Sequence, residues 1–147
     1  ARHTLAIASD AMQYWSESDS LYEGLIASDT NDVQALNNYS YSLVERNIRL
    51  EKSLEMSKKA IDLEPDNAAY LDTIGWIYFK LNNAQKALYY IRRSIELDDK
   101  NAVVLEHLGD VLIAAEQSDE ARTIYLRALD LDKNNNLLKQ KAGVMPD

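Results

Sequence analysis

Between residues 70 and 101 the apolar positions fall into two stripes of helical spacing. Leu71, Ile74, Gly75 and Tyr78 lie at i, i+3, i+4 and i+7, one face of an α-helix; after the polar turn Leu81-Asn82-Asn83, Ala87, Ile91, Ser94 and Ile95 form a second stripe. The pattern returns 34 residues later: Leu71 with Leu105, Ile74 with Leu108, Gly75 with Gly109, Tyr78 with Leu112, Ala87 with Ala121, Ile91 with Tyr125, Ser94 with Ala128 and Ile95 with Leu129. One step earlier, Ala60, Ile61, Leu63 and Asn67 hold the places of Ser94, Ile95, Leu97 and Asn101. The unit is therefore a helix, a short polar turn and a second helix. Glu64-Pro65-Asp66-Asn67 closes one unit, since proline cannot continue a helix, and Asn67 caps the next; Asp98 to Asn101 and Asp132 to Asn135 serve the same purpose without proline.

Three of the four glycines, Gly75, Gly109 and Gly143, mark the same 34-residue step. A glycine inside a helix costs about 1 kcal/mol relative to alanine. Its recurrence in the core stripe predicts a neighbouring helix so close that no Cβ fits. Small residues alternate with large ones in the second helix, which lets paired helices approach and fill the space between them. One unit departs from the period: Leu36 and Ser40 stand 35 residues before Leu71 and Gly75, while Ala60 stands 34 before Ser94. One residue is inserted between them, and the turn from Arg46 to Leu50 is the expected place. Ser40 replaces the packing glycine there, and Ser53 the first small residue of the second helix.

These residues resemble the tetratricopeptide repeat family, a 34-residue helix-turn-helix with an apolar anchor, an apolar-Gly pair, an aromatic, and small and large residues in the second helix. Here the pattern runs Leu71, Ile74-Gly75, Tyr78, Ala87, Ile91, Ser94, with Pro65 ending the unit before, and the stretch 70–87 is similar to repeats of bacterial members. The resemblance implies an all-α fold, a right-handed α-α superhelix (solenoid) of about three and a half to four repeats. It implies one domain over residues 1–147: a degenerate repeat 1–32, repeats 33–67, 68–101 and 102–135, and a C-terminal capping helix 136–147 in which Leu137 and Leu138 pack inward. It also implies a concave surface lined by the first helix of each repeat, and a role as a non-catalytic protein-interaction scaffold. The alternative is an assembly or oligomerisation module of a larger bacterial protein.

Composition narrows the partners. The chain carries 16 basic and 24 acidic side chains, a net charge of −8. Nucleic-acid binding relies on a basic footprint that releases condensed counterions, so nucleic acid and anionic membrane surfaces are not the expected partners. No stretch reaches the roughly 18 apolar residues of a membrane-spanning helix. Cysteine is absent, which excludes disulfides and fits cytoplasm or periplasm alike, so the compartment stays open. The chain begins at Ala1 without methionine, which leaves room for an upstream segment and for a fragment of a longer protein.

Catalytic chemistry is not legible, and neither a cofactor nor an enzyme is expected. There is no phosphate loop, nucleophile elbow, HExxH or CxxC pattern. Glu106-His107-Leu108-Gly109-Asp110 is the nearest approach to a metal constellation, with His107 and Asp110 one turn apart, but two ligands from one helix make a weak site. Asn38-Tyr39-Ser40 matches a glycosylation sequon within a predicted helix and is discounted.

Helical geometry indicates what the first helices present besides their core stripe. With Leu71 as zero and about 100° per residue, Asp72, Phe79 and Trp76 lie at roughly 100°, 80° and 140°, forming a second face. Translated by the repeat, that face carries Asn37, Tyr41 and Val44 in the preceding unit and Glu106, Asp110 and Ile113 in the following one, with Gln140 and Val144 beyond. Tyr41, Trp76 and Phe79 suit an apolar anchor, and Asp72, Glu106 and Asp110 suit a lysine, an arginine or a free amine. The expected partner is a protein or peptide of apolar and basic character, with homo-oligomers left open. Family members that hold acidic chaperone tails use lysines, an arginine and asparagines on this face. Asn37 and Asn38 fit that set, but Asp72, Thr73, Glu106, His107 and Asp110 would repel a carboxylate.

Overall fold

The computed structural model describes residues 2–144, which form nine α-helices and, among the described residues, no strand. They are α1 (Arg2–Ala11), α2 (Trp15–Ser28), α3 (Val33–Glu45), α4 (Leu50–Leu63), α5 (Ala68–Lys80), α6 (Ala84–Leu97), α7 (Ala102–Ala114), α8 (Ser118–Leu131) and α9 (Asn136–Lys141). Residue 1 of the predicted first repeat and residues 145–147 of the predicted capping helix lie outside the described residues.

Two marks recur at the repeat interval. Asp32, Asn67, Asn101 and Asn135 each accept a hydrogen bond from a backbone N–H in the first turn of α3, α5, α7 and α9. They satisfy amides that would otherwise be orphaned at a helix start. Gln13, Asn47, Asn82 and Glu116 take left-handed φ in the turn inside each hairpin. Arg49 adds a second left-handed residue in one turn only, φ 48°, and there α4 starts without a side-chain cap. The inserted residue is therefore absorbed by an extra left-handed kink in the Arg46–Leu50 turn.

The chain divides into two compact units, residues 1–66 and 67–147. In the first, α1 packs on α2 and α3 on α4, with Ala6, Tyr22, Leu36, Tyr39 and Leu43 fully or almost fully buried. Ser40 and Ser53 join α3 to α4: Ser53 Oγ donates to the Ser40 carbonyl at 2.8 Å, and the Ser40 hydroxyl is shared between the Leu36 carbonyl at 2.7 Å and the Ser53 carbonyl at 3.1 Å. In the second unit α5 packs on α6, α7 on α8, α6 on α7 and α8 on α9. Leu71, Ile74, Ile91, Leu105, Leu112 and Leu138 fill its core. A Cβ added at Gly75 would lie 2.5 Å from Ile91 Cγ1 and 3.2 Å from the Ala87 carbonyl, and one added at Gly109 would fall on the Tyr125 ring. Both glycines are thus held by close helix approach.

The third glycine of the ladder does other work. Gly143 follows α9 with φ 73°, and a Cβ there would meet nothing nearer than Arg122 Nε at 4.0 Å. It ends a helix rather than packing one. Leu137 likewise differs from expectation: it is exposed, and Leu138 alone packs inward, because two consecutive helical positions point about 100° apart.

Candidate functional site

In the second unit the predicted face is built from α5 and α7. Asp72, Trp76 and Phe79 come from α5, and Glu106, Asp110 and Ile113 from α7. Asp72 and Trp76 are buried, Phe79, Glu106 and Asp110 are half-buried, and Ile113 is 50% exposed. The Trp76 ring stacks with Phe79, centroids 4.9 Å apart, and with His107 of α7 at 3.9 Å and 16° between planes. The Lys80 ammonium lies 5.0 Å from the Trp76 centroid and 5.9 Å from that of Phe79, within cation–π range. His107 Nδ1–H donates to the Asp72 carboxylate, 3.0 Å from Oδ1 and 3.2 Å from Oδ2, with both side chains buried.

Each carboxylate of this face has an internal partner. Lys141 of α9 donates to Glu106 Oε2 at 2.6 Å and to Asp110 at 3.0 and 3.2 Å, while the Tyr125 hydroxyl of α8 donates to Asp110 Oδ1 at 2.6 Å. The two clusters are one contact repeated. His107 stands 35 residues after Asp72 and 31 after Trp76; Lys141 stands 35 after Glu106 and 31 after Asp110. One residue of the first helix of a repeat thus reaches back to two residues of the first helix of the repeat before it. Sequence reasoning missed His107, Lys141 and Tyr125 in these roles. The signal available was a donor one position past the acid of the preceding repeat.

Burial and charge act together here. Burial disfavours the Lys141 ammonium, but its bonds to Glu106 and Asp110 outweigh that and hold its pKa above the ordinary lysine value. Burial, the bond to Asp110 and the charge of Glu106 push the Tyr125 phenol up. His107 turns to Asp72, and among the described residues no group of three His, Asp or Glu is placed to hold a metal ion.

In the first unit the row is Asn37, Tyr41 and Val44 on α3. Asn37 is buried and its Oδ1 has no hydrogen-bond partner among the described residues; Tyr41 is half-buried. Val44 has no exposed surface, so its part is packing rather than contact with a ligand: it lies beside Leu43 in the buried last turns of α3. Nearby, Tyr39 stacks with Tyr22 at 5.4 Å and donates to Glu23 at 2.8 Å. That bond and one from Lys52 lower the Glu23 pKa, while burial, reinforced by Asp10 and Asp19, pushes the Tyr22 hydroxyl up to about 12. Among the described residues no helix is long and apolar enough to cross a membrane.

Residues 68–101 and 102–135 match the tetratricopeptide repeat family model. A TPR repeat-containing protein of Pseudomonas aeruginosa is 37% identical over 67 residues, 44% of this chain and 11% of its own length. A thermophilic TPR protein of Thermus thermophilus superposes with a TM-score of 0.84 at 19% identity, covering 97% of this chain and 78% of its own. MamA gives a TM-score of 0.78 at 19% identity over 94% and 80% of the two chains. PilF of Pseudomonas aeruginosa gives 0.79 at 21% identity over 95% and 64%. At such identities these structures show the fold, an all-α solenoid of helix-turn-helix repeats.

Proposed function

We propose, from the two repeats that match the tetratricopeptide repeat family, whose members mediate protein–protein interaction, that the chain is a non-catalytic scaffold holding a partner protein or peptide on the first helices of its repeats. The observation that carries this reading is the apolar surface offered by α5 and α7: half-buried Phe79 stacked on Trp76, and half-exposed Ile113 at the same register position one repeat later, on the helix that carries Glu106 and Asp110. An apolar side chain of the partner lies against Phe79 and Ile113, and a basic one faces the carboxylates. A few well-packed anchor residues carry most of the binding energy of an interface. Asp72 and Trp76 support the face from beneath, because they are buried and bound to His107. On α3 half-buried Tyr41 offers a smaller surface, while Asn37 lies buried in the same helix.

The test is capture of partners by the purified chain, quantified by mass spectrometry, beside a Phe79→Ser/Ile113→Ser variant. Both residues carry exposed surface, so the variant keeps its far-ultraviolet circular dichroism and loses the partners. Equal capture by variant and wild type counts against the inner face. A second reading, an assembly module within a larger protein, is favoured by the Pseudomonas relative, of which the matched stretch is only 11%. Light scattering across a concentration series separates the two: self-association supports assembly, and a strict monomer supports a scaffold for other proteins.

A further inference from the structure

Lys141 occupies, from within the chain, the position in which this reading places a partner's basic side chain. Its ammonium makes three short contacts, to Glu106 Oε2 at 2.6 Å and to the two Asp110 oxygens at 3.0 and 3.2 Å. Asp110 is oriented for it by the Tyr125 hydroxyl at 2.6 Å, and the Tyr125 ring lies 5.8 Å from the same ammonium. The helix that carries Lys141 is short. α9 is six residues long, far below the length at which an isolated helix is stable in water. Its anchors are buried Leu138, Lys139 and Ala142, the Asn135 cap, the Arg122 Nε–H donated to the Ala142 carbonyl at 3.1 Å, and Lys141, the anchor that reaches the carboxylates of α7. The Lys141 side chain keeps 25% of its surface exposed, so water and a competing cation reach the bond.

We propose that α9 is a charge-held latch: Lys141 keeps Glu106 and Asp110 closed, and a partner's lysine or arginine engages them only by displacing it. The inference rests on the inner face being the partner surface. Exchanging one ammonium for another leaves the local charge unchanged, so the latch acts through its tethering. An external cation competes with an internal one whose effective concentration is on the order of millimolar. A lone basic residue is therefore rejected, and a partner that also anchors on Phe79 and Ile113 is admitted. The same arrangement at His107 is fixed by the Trp76 stack and deep burial; the one at Lys141 is the exposed, exchangeable member of the pair.

The probe is a fluorescent acetylated hexalysine amide, titrated against the full chain at low salt by anisotropy. Lys141→Met is expected to bind it at least about fivefold more tightly than wild type, as the tethered competitor is removed. Lys133→Met removes the same charge from an exposed site and controls for the net charge of the chain; it is expected to track wild type. Adding Glu106→Gln/Asp110→Asn to Lys141→Met removes the gain. Amide exchange at Leu138 and Ala142, faster in Lys141→Met and unchanged in Lys133→Met, reports that α9 has loosened. Equal affinity for the Lys141 and Lys133 variants, or a gain that survives loss of both carboxylates, overturns the latch. Either result leaves the Phe79/Ile113 capture experiment to be judged separately.

Discussion

A methyl group at Gly109 would have to share space with the Tyr125 ring, and that ring is pinned at its other end by the hydroxyl bond to Asp110. Gly109→Ala is therefore expected to destabilise the chain. Overpacking costs about 1–3 kcal/mol, and the better helix propensity of alanine returns at most about 1 kcal/mol. Gly24 is the contrast, because a Cβ there meets only the guanidinium of Arg2, a flexible end that can move aside. Gly24→Ala is expected to be neutral or mildly stabilising, and thermal unfolding of the two variants side by side checks the difference. Ser40 shows how the same junction accepts a larger residue. Where Gly75 and Gly109 face bulky Ile91 and Tyr125, the register partner in the earlier repeat is Ser57, itself fully buried, so volume is redistributed across the helix pair.

At the scale of elements, the repeat is punctuated by caps. Asn101 accepts from the backbone N–H of both Val103 and Val104, at 3.0 and 3.3 Å. Asn101→Ala removes both bonds and is expected to lower stability by about 1 kcal/mol, measured by denaturant unfolding. The effect belongs to α7 and hence to the candidate face, since α7 carries Glu106, Asp110 and Ile113. The insertion near Asn47 is a second element-scale feature. A helix of fixed phase tolerates no extra residue, but a turn does, and the added left-handed Arg49 takes up the length while α3 and α4 keep their packed faces. Among the described helices α9 is the shortest, six residues, and relies on its packing against α8.

For the whole molecule, pH reports on the buried hydroxyls and the latch together. Tyr22, Tyr39, Tyr125 and Lys141 all hold their protons more tightly in the folded chain than in the unfolded one. The native state then binds more protons than the unfolded state once the pH exceeds the ordinary tyrosine and lysine values near 10. Stability is fully present below that point and falls as the pH rises through the raised folded values. Each retained proton steepens the fall by about 1.4 kcal/mol per pH unit. Chemical denaturation from pH 8 to 11 checks this, with Tyr125→Phe and Lys141→Met each expected to flatten the alkaline limb. A net charge of −8 makes basic partners the electrostatically favoured class across the physiological range, more so at low salt.

Much of this was legible before any coordinates. The core stripes through Leu71 and Leu105, the caps at Asn67 and Asn101, the close-packed glycines and the place of the insertion all follow from apolar period, turn chemistry and a 34-residue ruler. Those are local properties: a helix face is set by phase along its own axis, and a cap by residues three apart. The candidate face was legible only in outline. Sequence phase put Asp72, Glu106 and Asp110 on one side of their helices, but not beside His107, Lys141 and Tyr125, which lie 15 to 35 residues away. Phase likewise could not say that Val44 has no exposed surface, that Leu138 turns inward and Leu137 outward, or that Gly143 ends a helix instead of packing one. The chain by itself determined which residues are helical and which face is apolar, because both depend on near neighbours. Tertiary structure alone decided which charges are already paired and which surface remains open, because a side chain's partners are chosen by the helices stacked against it.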